Sequence, residues 1–173
     1  GYLNTLYYSD WAFSQFFNNA KTRPWFKNTV FIFTADHVCG YVGTSISEQF
    51  QIPMLTYAPG IISKGESDVL ASQSDLPATI FDLINIQFPY SGTGKSLLQN
   101  YNQRFVLGRR GETMFYINKF GNIQHNLSLM LEHEIKSNDS KQDTKQILNN
   151  MQKEMLSIDQ LLYNIIKSNK FYK

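Results

Sequence analysis

The sequence lacks most of the features by which composition alone assigns a function. Its single cysteine, Cys39, excludes an internal disulfide bond. The formal net charge is only +2, so composition gives no reason to propose nucleic acid as a partner. No apolar run approaches the roughly 18 residues that a transmembrane helix requires, and no signal peptide is recognisable. What is present, 42% hydrophobic and 17% charged residues in a chain of 173, indicates one ordinary globular domain.

A methionine is also missing from the start of the sequence. The chain begins at Gly1, and its first methionine is Met54. A translation product begins with methionine unless it is processed, and the first residues already resemble the approach to a helix. We therefore expect this sequence to be the C-terminal portion of a longer protein, so that a targeting or membrane segment could lie upstream.

The first third of the sequence predicts alternating helix and strand. Ser9 or Asp10 caps a predicted helix over residues 9–21, and the apolar run 29–34 predicts a strand. Continuous apolar runs are typical of parallel strands buried on both faces, so we expect half of a βαβ unit here. A second short strand is predicted at 53–57.

The middle of the sequence predicts a second helix and a glycine-rich loop. Ser74 or Asp75 caps this helix, and its apolar positions between Leu76 and Ile86 are expected to form a buried face. Capping also explains the polar cluster 72–75, although backbone amides at a helix start could hold an anion. The segment SGTGKS at 91–96 lacks the spacing of a phosphate-binding P-loop.

The last third predicts strands, a linker and a long helix. Strands are expected at 105–107 and 113–117, the second of which turns back to pair from Ile123 onward. The polar segment 136–145 predicts a linker. The apolar stripe of residues 146–168 predicts an amphipathic helix that packs on its own domain; self-association through this stripe is the alternative.

Asp36 and His37 are the residues that point most directly to chemistry. They follow the predicted strand 29–34, and in open α/β sheets ligands bind beyond the carboxyl ends of the strands. A carboxylate oxygen and an imidazole nitrogen suit a divalent cation such as Zn or Mn. The alternative is a helix cap beside a solvated loop histidine, and zinc requires at least three protein ligands.

Other polar residues are weaker candidates. His125 and His133 have polar neighbours, which favours surface histidines over metal ligands. Arg109 and Arg110 could bind an anionic group in bidentate fashion, or form a solvated pair beside a turn. Nothing in the sequence lowers the pKa of Cys39, so we expect an inert thiol.

Several blocks of the sequence together resemble the sulfatase family, within the alkaline phosphatase superfamily. More closely, they resemble its lipoteichoic acid synthase and phosphoglycerol transferase branch. They follow the family order across roughly residues 1–98 and read YSDWAFSQFF (8–17), PWFKNT (24–29), FTADH (33–37), IPMLTYAPG (52–60) and SQSDLPATIFDL (72–83).

The resemblance implies a fold and a metal site. The fold is the C-terminal portion of an alkaline-phosphatase-like three-layer α/β/α sandwich, followed by a C-terminal helix. The implied organisation is a catalytic-domain portion at 1–135, a linker at 136–145 and an amphipathic helix at 146–173. The resemblance also implies a divalent metal (Mn, Zn, Mg or Ca) held partly by Asp36 and His37. Such a metal polarises a phosphoryl or sulfuryl oxygen.

The resemblance further implies that catalysis needs residues from outside this sequence. In the family a threonine or serine, or formylglycine in true sulfatases, attacks the ester, and this nucleophile lies in the N-terminal half of the domain. We therefore expect this chain alone to lack the nucleophile, and its partner to be the missing N-terminal half. The implied substrate is a lipid-linked or small anionic ester, handled on the extracytoplasmic side of the cell membrane.

Three functional hypotheses follow. The first is part of a divalent-metal-dependent phosphoglycerol transferase-like enzyme. The second, a sulfuric-ester hydrolase or phosphoethanolamine transferase of the same superfamily, differs in substrate rather than in metal chemistry. The third is a non-catalytic remnant that acts as a binding module through its C-terminal helix or an exposed sheet edge.

Overall fold

We describe the protein from a computed structural model, which describes residues 1–38, 40, 43–87, 92–126, 129–136 and 141–170. Cys39, Ser91, and the parts of the predicted linker and C-terminal helical segment at 137–140 and 171–173 lie outside the described residues. The chain divides into two compact units. Unit 1 comprises residues 1–37 and 52–66, and unit 2 comprises residues 38–51 and 67–173. The domain division predicted from the sequence stays a prediction.

Unit 1 consists of a long helix and a two-stranded ribbon. Its elements are α1 (Tyr2–Lys21), a 3-10 turn (Pro24–Asn28), β1 (Phe31–Thr34) and β2 (Met54–Tyr57). The core is aromatic, because Phe17 on α1 meets the rings of Phe26, Phe31 and Tyr57 at centroid distances of 5.6, 5.6 and 5.1 Å. Edge-to-face ring packing of this kind stabilises beyond area burial alone.

Two expectations for unit 1 are wrong. The helix begins at Tyr2 with Gly1 as its N-cap, so Ser9 and Asp10 lie inside it and do not cap it. β1 is not paired as a parallel strand: it runs antiparallel to β2, with Phe31 opposite Tyr57. The physical reason is that an apolar run indicates burial and extension but carries no information about the direction of the neighbouring strand.

Unit 2 is built on a four-stranded antiparallel meander. It contains two short helices, α2 (Ile46–Gln49) and α3 (Leu76–Leu83), the second preceded by a 3-10 turn (Gln73–Asp75). The four strands pair in sequence order, and a long helix follows them. These elements are β3 (Phe105–Arg110), β4 (Thr113–Asn118), β5 (Gly121–Asn126), β6 (Leu129–Ile135) and α4 (Lys141–Ser168).

Each face of the meander buries its own set of side chains, because successive residues of a strand point to opposite faces of the sheet. On one face, Met114, Tyr116 and Ile123 pack against Met151 and Met155 of α4. The other face contributes Phe115 and Ile117 to a second cluster with Ile46 of α2. The predicted C-terminal helix therefore exists, begins at residue 141, and packs on its own unit.

Polar contacts fix α4 on the sheet. The hydroxyl of Tyr116 donates a hydrogen bond to Glu154 at 2.9 Å. Nε2 of Gln152 lies 2.9 Å from Nε2 of His125, which is 2% exposed. The expectation of a surface histidine at position 125 is thus wrong, because α4 covers the strand that carries it. His133 is exposed, as expected.

The apolar side of α3 also differs from expectation. Ile80, Ile84 and Ile86 are exposed, whereas the residue buried on this helix is Thr79. The reason is a polar contact: the hydroxyl of Thr79 accepts a hydrogen bond from the backbone amide of Leu97 at 3.0 Å. The mixed α/β class with a C-terminal helix is confirmed. Within the described residues, no helix combines the length and hydropathy needed to cross a membrane.

The Tyr116–Glu154 contact predicts a pH-dependent stability. Burial, followed by the hydrogen bond and charge of Glu154, raises the pKa of the Tyr116 phenol above its ordinary value of 10.0. As the pH rises, the phenol of Tyr116 loses its proton in the unfolded chain before it does so in the folded chain. The stabilisation by the Tyr116–Glu154 contact is therefore complete below pH 10 and is lost as the pH rises above it. We expect Tyr116→Phe to lower the free energy of unfolding by about 1 kcal/mol at pH 7. In urea denaturation, the free energy of unfolding should decline less between pH 9 and pH 11 for Tyr116→Phe than for the parent. Equal declines would contradict the prediction.

Candidate metal centre

The candidate pair stands directly after β1, where the ribbon ends. The hydroxyl of Thr34, the last residue of β1, donates a hydrogen bond to the carbonyl of Pro53 at 3.1 Å. This contact ties the end of β1 to the residue that precedes β2. Ala35 is half-buried, and Asp36 and His37 follow on the surface of unit 1. The two polar side chains therefore lie together directly after the apolar strand.

Asp36 and His37 face each other. The backbone amide of His37 donates a hydrogen bond to Oδ1 of Asp36 at 2.9 Å. The other carboxylate oxygen, Oδ2, lies 3.6 Å from Nε2 of His37. The side chains are 87% and 78% exposed, respectively. An ion pair this exposed contributes little to stability.

The separation of the two ligand atoms fits a shared cation. Zinc–oxygen and zinc–nitrogen distances of about 2.0–2.2 Å at a tetrahedral angle place two ligand atoms about 3.4 Å apart. The observed 3.6 Å is close to that value. No group of three or more His, Cys, Asp or Glu side chains suited to a metal occurs among the residues that the structure describes. Asp36 and His37 alone offer two of the three or more protein ligands that zinc requires.

The two arginines considered from the sequence contact neighbours within unit 2. Nη2 of Arg109 donates to both carboxylate oxygens of Asp159 at 2.8 and 2.9 Å. Arg110 donates to the side-chain carbonyl of Gln49 at 2.9 Å. Asp159 on α4 thus takes the place of the external anion that Arg109 could have bound. This contact joins α4 to β3 and is a structural ion pair.

The loop before α2 is closed by Glu48. One carboxylate oxygen of Glu48 accepts hydrogen bonds from the backbone amides of Thr44 and Ser45 at 2.8 and 3.0 Å. The amide of Ser45, followed by that of Thr44, lowers the pKa of the Glu48 carboxyl. With the Ser45 hydroxyl capping the amide of Glu48, this is a complete capping box, which fixes the start of α2.

The main residue whose role the sequence did not reveal is Asp75. It was expected to cap α3, and it is the N-cap residue of that helix, but its side chain makes no capping hydrogen bond there. The carboxylate instead accepts a hydrogen bond from the backbone amide of Ser72, as the last residue of the capping box that Ser72 begins. The carboxylate also accepts a hydrogen bond from the backbone amide of Lys95 at 2.7 Å and lies 3.9 Å from Nη1 of Arg104. Both side chains of this ion pair are buried. We call Asp75 and these three partners the Asp75 hub. The nearby glycine-rich segment 91–96 was the signal that a close backbone approach occurs here.

The architecture matches a known fold. The chain superposes on a crystal structure of a protein in the alkaline phosphatase superfamily from Vibrio parahaemolyticus with a TM-score of 0.74. The two sequences are 18% identical, and the superposition covers 96% of this chain and 42% of that chain. The fold is therefore an alkaline phosphatase superfamily fold, and this chain spans about two fifths of that relative.

The first half of the sequence also matches a family model. Residues 1–86 match the sulfatase family model. This segment contains β1, the Asp36–His37 pair and α3. Over these residues the chain is similar to the sulfatase family.

Proposed function

We propose that this chain supplies the Asp36–His37 metal-binding pair of a divalent-metal-dependent phosphoglycerol transferase-like enzyme, of the lipoteichoic acid synthase type. The observation that carries the proposal is the 3.6 Å separation of Asp36 Oδ2 and His37 Nε2 at the end of β1. Support for the branch comes from the sequence blocks around the pair, above all residues 8–17 and 24–29. The substrate is a lipid-linked or small anionic phospho- or sulfo-ester.

The proposal includes a partner polypeptide and a location. Two ligands do not complete a metal site, and the chain spans 42% of the Vibrio parahaemolyticus relative. A polypeptide equivalent to the N-terminal half of the domain contributes the nucleophile and the remaining acidic ligand. The proposed location of the complete enzyme is the outer side of the cell membrane, where a lipid-linked ester would be accessible.

The residues fit a divalent cation of the Mn, Zn, Mg or Ca type. When bound, the ion polarises an oxygen of the ester group. The protein's contribution is to aim the ligands: the amide of His37 holds Oδ1 of Asp36, which turns Oδ2 toward the imidazole. Main-chain support of this kind fixes a ligating carboxylate and is typical of metal sites.

A metal titration tests the pair. Mn²⁺ or Zn²⁺ that binds only the folded chain raises the melting temperature, because free metal at 100 times Kd stabilises by about 2.7 kcal/mol. We expect Asp36→Ala and His37→Ala to abolish this rise. The exposed Asp10 and His133 provide matched controls, and Asp10→Ala and His133→Ala should respond to metal like the parent.

Two outcomes would contradict the proposal. If Asp36→Ala responds to metal like the parent, these residues are not the ligands. If the complete enzyme cleaves a chromogenic sulfate ester and leaves a phosphodiester intact, the phosphoglycerol transferase assignment is wrong and the sulfuric-ester hydrolase replaces it. Turnover by this chain alone that survives loss of Asp36 would overturn the need for a second polypeptide.

A further inference from the structure

Helix α4 is longer than the sheet on which it packs. Its 28 residues span about 42 Å. The strands of the meander have six or seven residues, about 20–23 Å, and four strands side by side span about 15 Å. The last α4 residue of the core cluster is Ile158, and the next residue, Asp159, pairs with Arg109. We call the residues that follow, 160–170, the distal segment of α4.

The apolar stripe of α4 continues through the distal segment. Its four large aliphatic residues stand at helical positions i, i+1, i+4 and i+5: Leu161, Leu162, Ile165 and Ile166. At 100° per residue they cover an arc of about 140° on one side of the helix. Leu161 and Ile166 are 53% and 63% exposed, whereas Leu162 and Ile165 are half-buried. The distal segment therefore presents an apolar side to solvent.

The opposite side of the distal segment is polar and basic. It carries Gln160, Asn164 and Lys167. Tyr163, which is 55% exposed, lies between the two sides, and Nζ of Lys167 lies 5.6 Å from the centroid of its ring. Tyrosine has an apolar ring and a polar hydroxyl, and it is enriched where one end of the side chain is in an apolar medium and the other in water. The order apolar, tyrosine, basic around the helix is typical of such a boundary.

The charge of α4 changes at the start of the distal segment. Residues 141–159 contain three lysines and three acidic residues, so their charges balance. Residues 160–170 contain Lys167 and Lys170 and no acidic residue. The acidic residue that directly precedes them, Asp159, is bound by Arg109. The positive charge of the distal segment is therefore available for an external anionic partner, and an amphipathic helix with a basic polar face fits an anionic membrane surface.

A second copy of this chain fits the segment less well. The exposed stripe spans six residues, whereas a coiled coil requires three to four heptads. Two paired distal segments would also bring lysines together without an acidic residue on either one. A membrane surface contacts one side of a helix, and the flexible stems of Lys167 and Lys170 can carry their ammonium groups from the apolar side to the headgroups. Charge complementarity thus favours the anionic surface.

We propose that the distal segment of α4 binds the surface of an anionic phospholipid membrane. Its apolar stripe lies at the boundary between headgroups and acyl chains, and Lys167 and Lys170 contact lipid phosphate groups. The stripe is short, so the association is reversible and depends on both the apolar area and the charge. This inference goes beyond the proposed function and uses neither the metal pair nor the ester substrate.

Co-sedimentation of the complete chain with vesicles tests the proposal. The probe is vesicles of phosphatidylglycerol and phosphatidylcholine in equal amounts, and vesicles of phosphatidylcholine alone are the comparison. We expect binding to the anionic vesicles that weakens with salt, because the Debye length falls from about 30 Å at 0.01 M to about 8 Å at 0.15 M. Each lysine near an anionic surface raises partitioning about fivefold, so Lys167→Gln combined with Lys170→Gln should lower it about 25-fold.

The apolar stripe is tested by a second pair of substitutions. Leu161→Glu combined with Ile166→Glu should lower partitioning at least tenfold. Both side chains are exposed, so the melting temperature of the chain should stay unchanged. The matched control is Leu129→Glu combined with Lys119→Gln in the same unit. Leu129 is 65% exposed, and Lys119 lies over the ring of Phe120 much as Lys167 lies over Tyr163. This control should partition like the parent.

The remaining outcomes separate the hypotheses. Binding is measured in EDTA, and Asp36→Ala should partition like the parent, so a failed metal site leaves this inference standing. Absence of binding to the anionic vesicles overturns it, as does equal binding to phosphatidylcholine alone. Equal partitioning of the parent and of Leu161→Glu combined with Ile166→Glu also overturns it. If that variant is monomeric in sedimentation experiments and the parent is a dimer that does not bind vesicles, a second copy covers the stripe instead.

Discussion

Asp75→Ala is expected to lower the free energy of unfolding of unit 2 by about 3–5 kcal/mol. The carboxylate is buried and accepts hydrogen bonds from the amides of Ser72 and Lys95 at 2.9 and 2.7 Å. Its loss leaves both donors and the buried Arg104 guanidinium without this acceptor. Leaving a buried charge without its partner costs more free energy than the ion pair itself contributes to stability. Urea denaturation at pH 7 measures the loss of stability.

Two matched variants give this prediction its controls. Asp68 is an exposed carboxylate of the same unit, and Asp68→Ala should change stability by less than about 0.5 kcal/mol. Asp75→Asn keeps the shape and one acceptor oxygen but removes the charge, so it should fall between the parent and Asp75→Ala. If Asp75→Ala unfolds like Asp68→Ala, the buried ion pair does not stabilise this unit.

The sequence predicted most accurately the elements that depend on residues close together in the chain. The stripe Ile147, Met151, Met155 and Ile158 recurs at helical spacing, and α4 forms with these residues packed on the sheet. The turn at 119–122 predicted a hairpin, which β4 and β5 form with Asn118 opposite Gly121. In both cases the residues that decide the structure are near neighbours in the chain.

Non-local contacts explain the errors. The run at 29–34 could not specify that β1 pairs antiparallel with a strand 20 residues later. His125 has polar neighbours in sequence, yet α4 buries it from 27 residues away. The candidate site follows the same division. Asp36 and His37 are adjacent in sequence, so a local pattern was enough to predict that their side chains lie together, and their role as metal ligands stays a prediction. Asp75 was expected to cap α3, but its side chain makes no such bond, and its contacts with Lys95 and Arg104 span 20 residues or more.

Gly94→Ala is expected to destabilise unit 2 by about 3 kcal/mol, the upper part of the range for overpacking. A Cβ atom at this position would lie 1.7 Å from the carbonyl oxygen of Ser74 and 3.0 Å from the amide nitrogen of Asp75. These are backbone atoms, which cannot rotate away as a side chain would. The segment must therefore retreat from the 3-10 turn, and the bond from the amide of Lys95 to Asp75 breaks with it.

The control for this variant is Gly65→Ala, where an added Cβ has no neighbour within 4 Å. It should leave the midpoint of urea denaturation unchanged. Because Gly94 acts through the Asp75 hub, the two large effects should not add: Gly94→Ala combined with Asp75→Ala should cost clearly less than the sum of the single variants. Additive costs would mean that the glycine-rich segment and the buried carboxylate stabilise the unit independently. If the costs do not add, the role of Gly94 is to allow close packing of the backbone against Ser74 and Asp75.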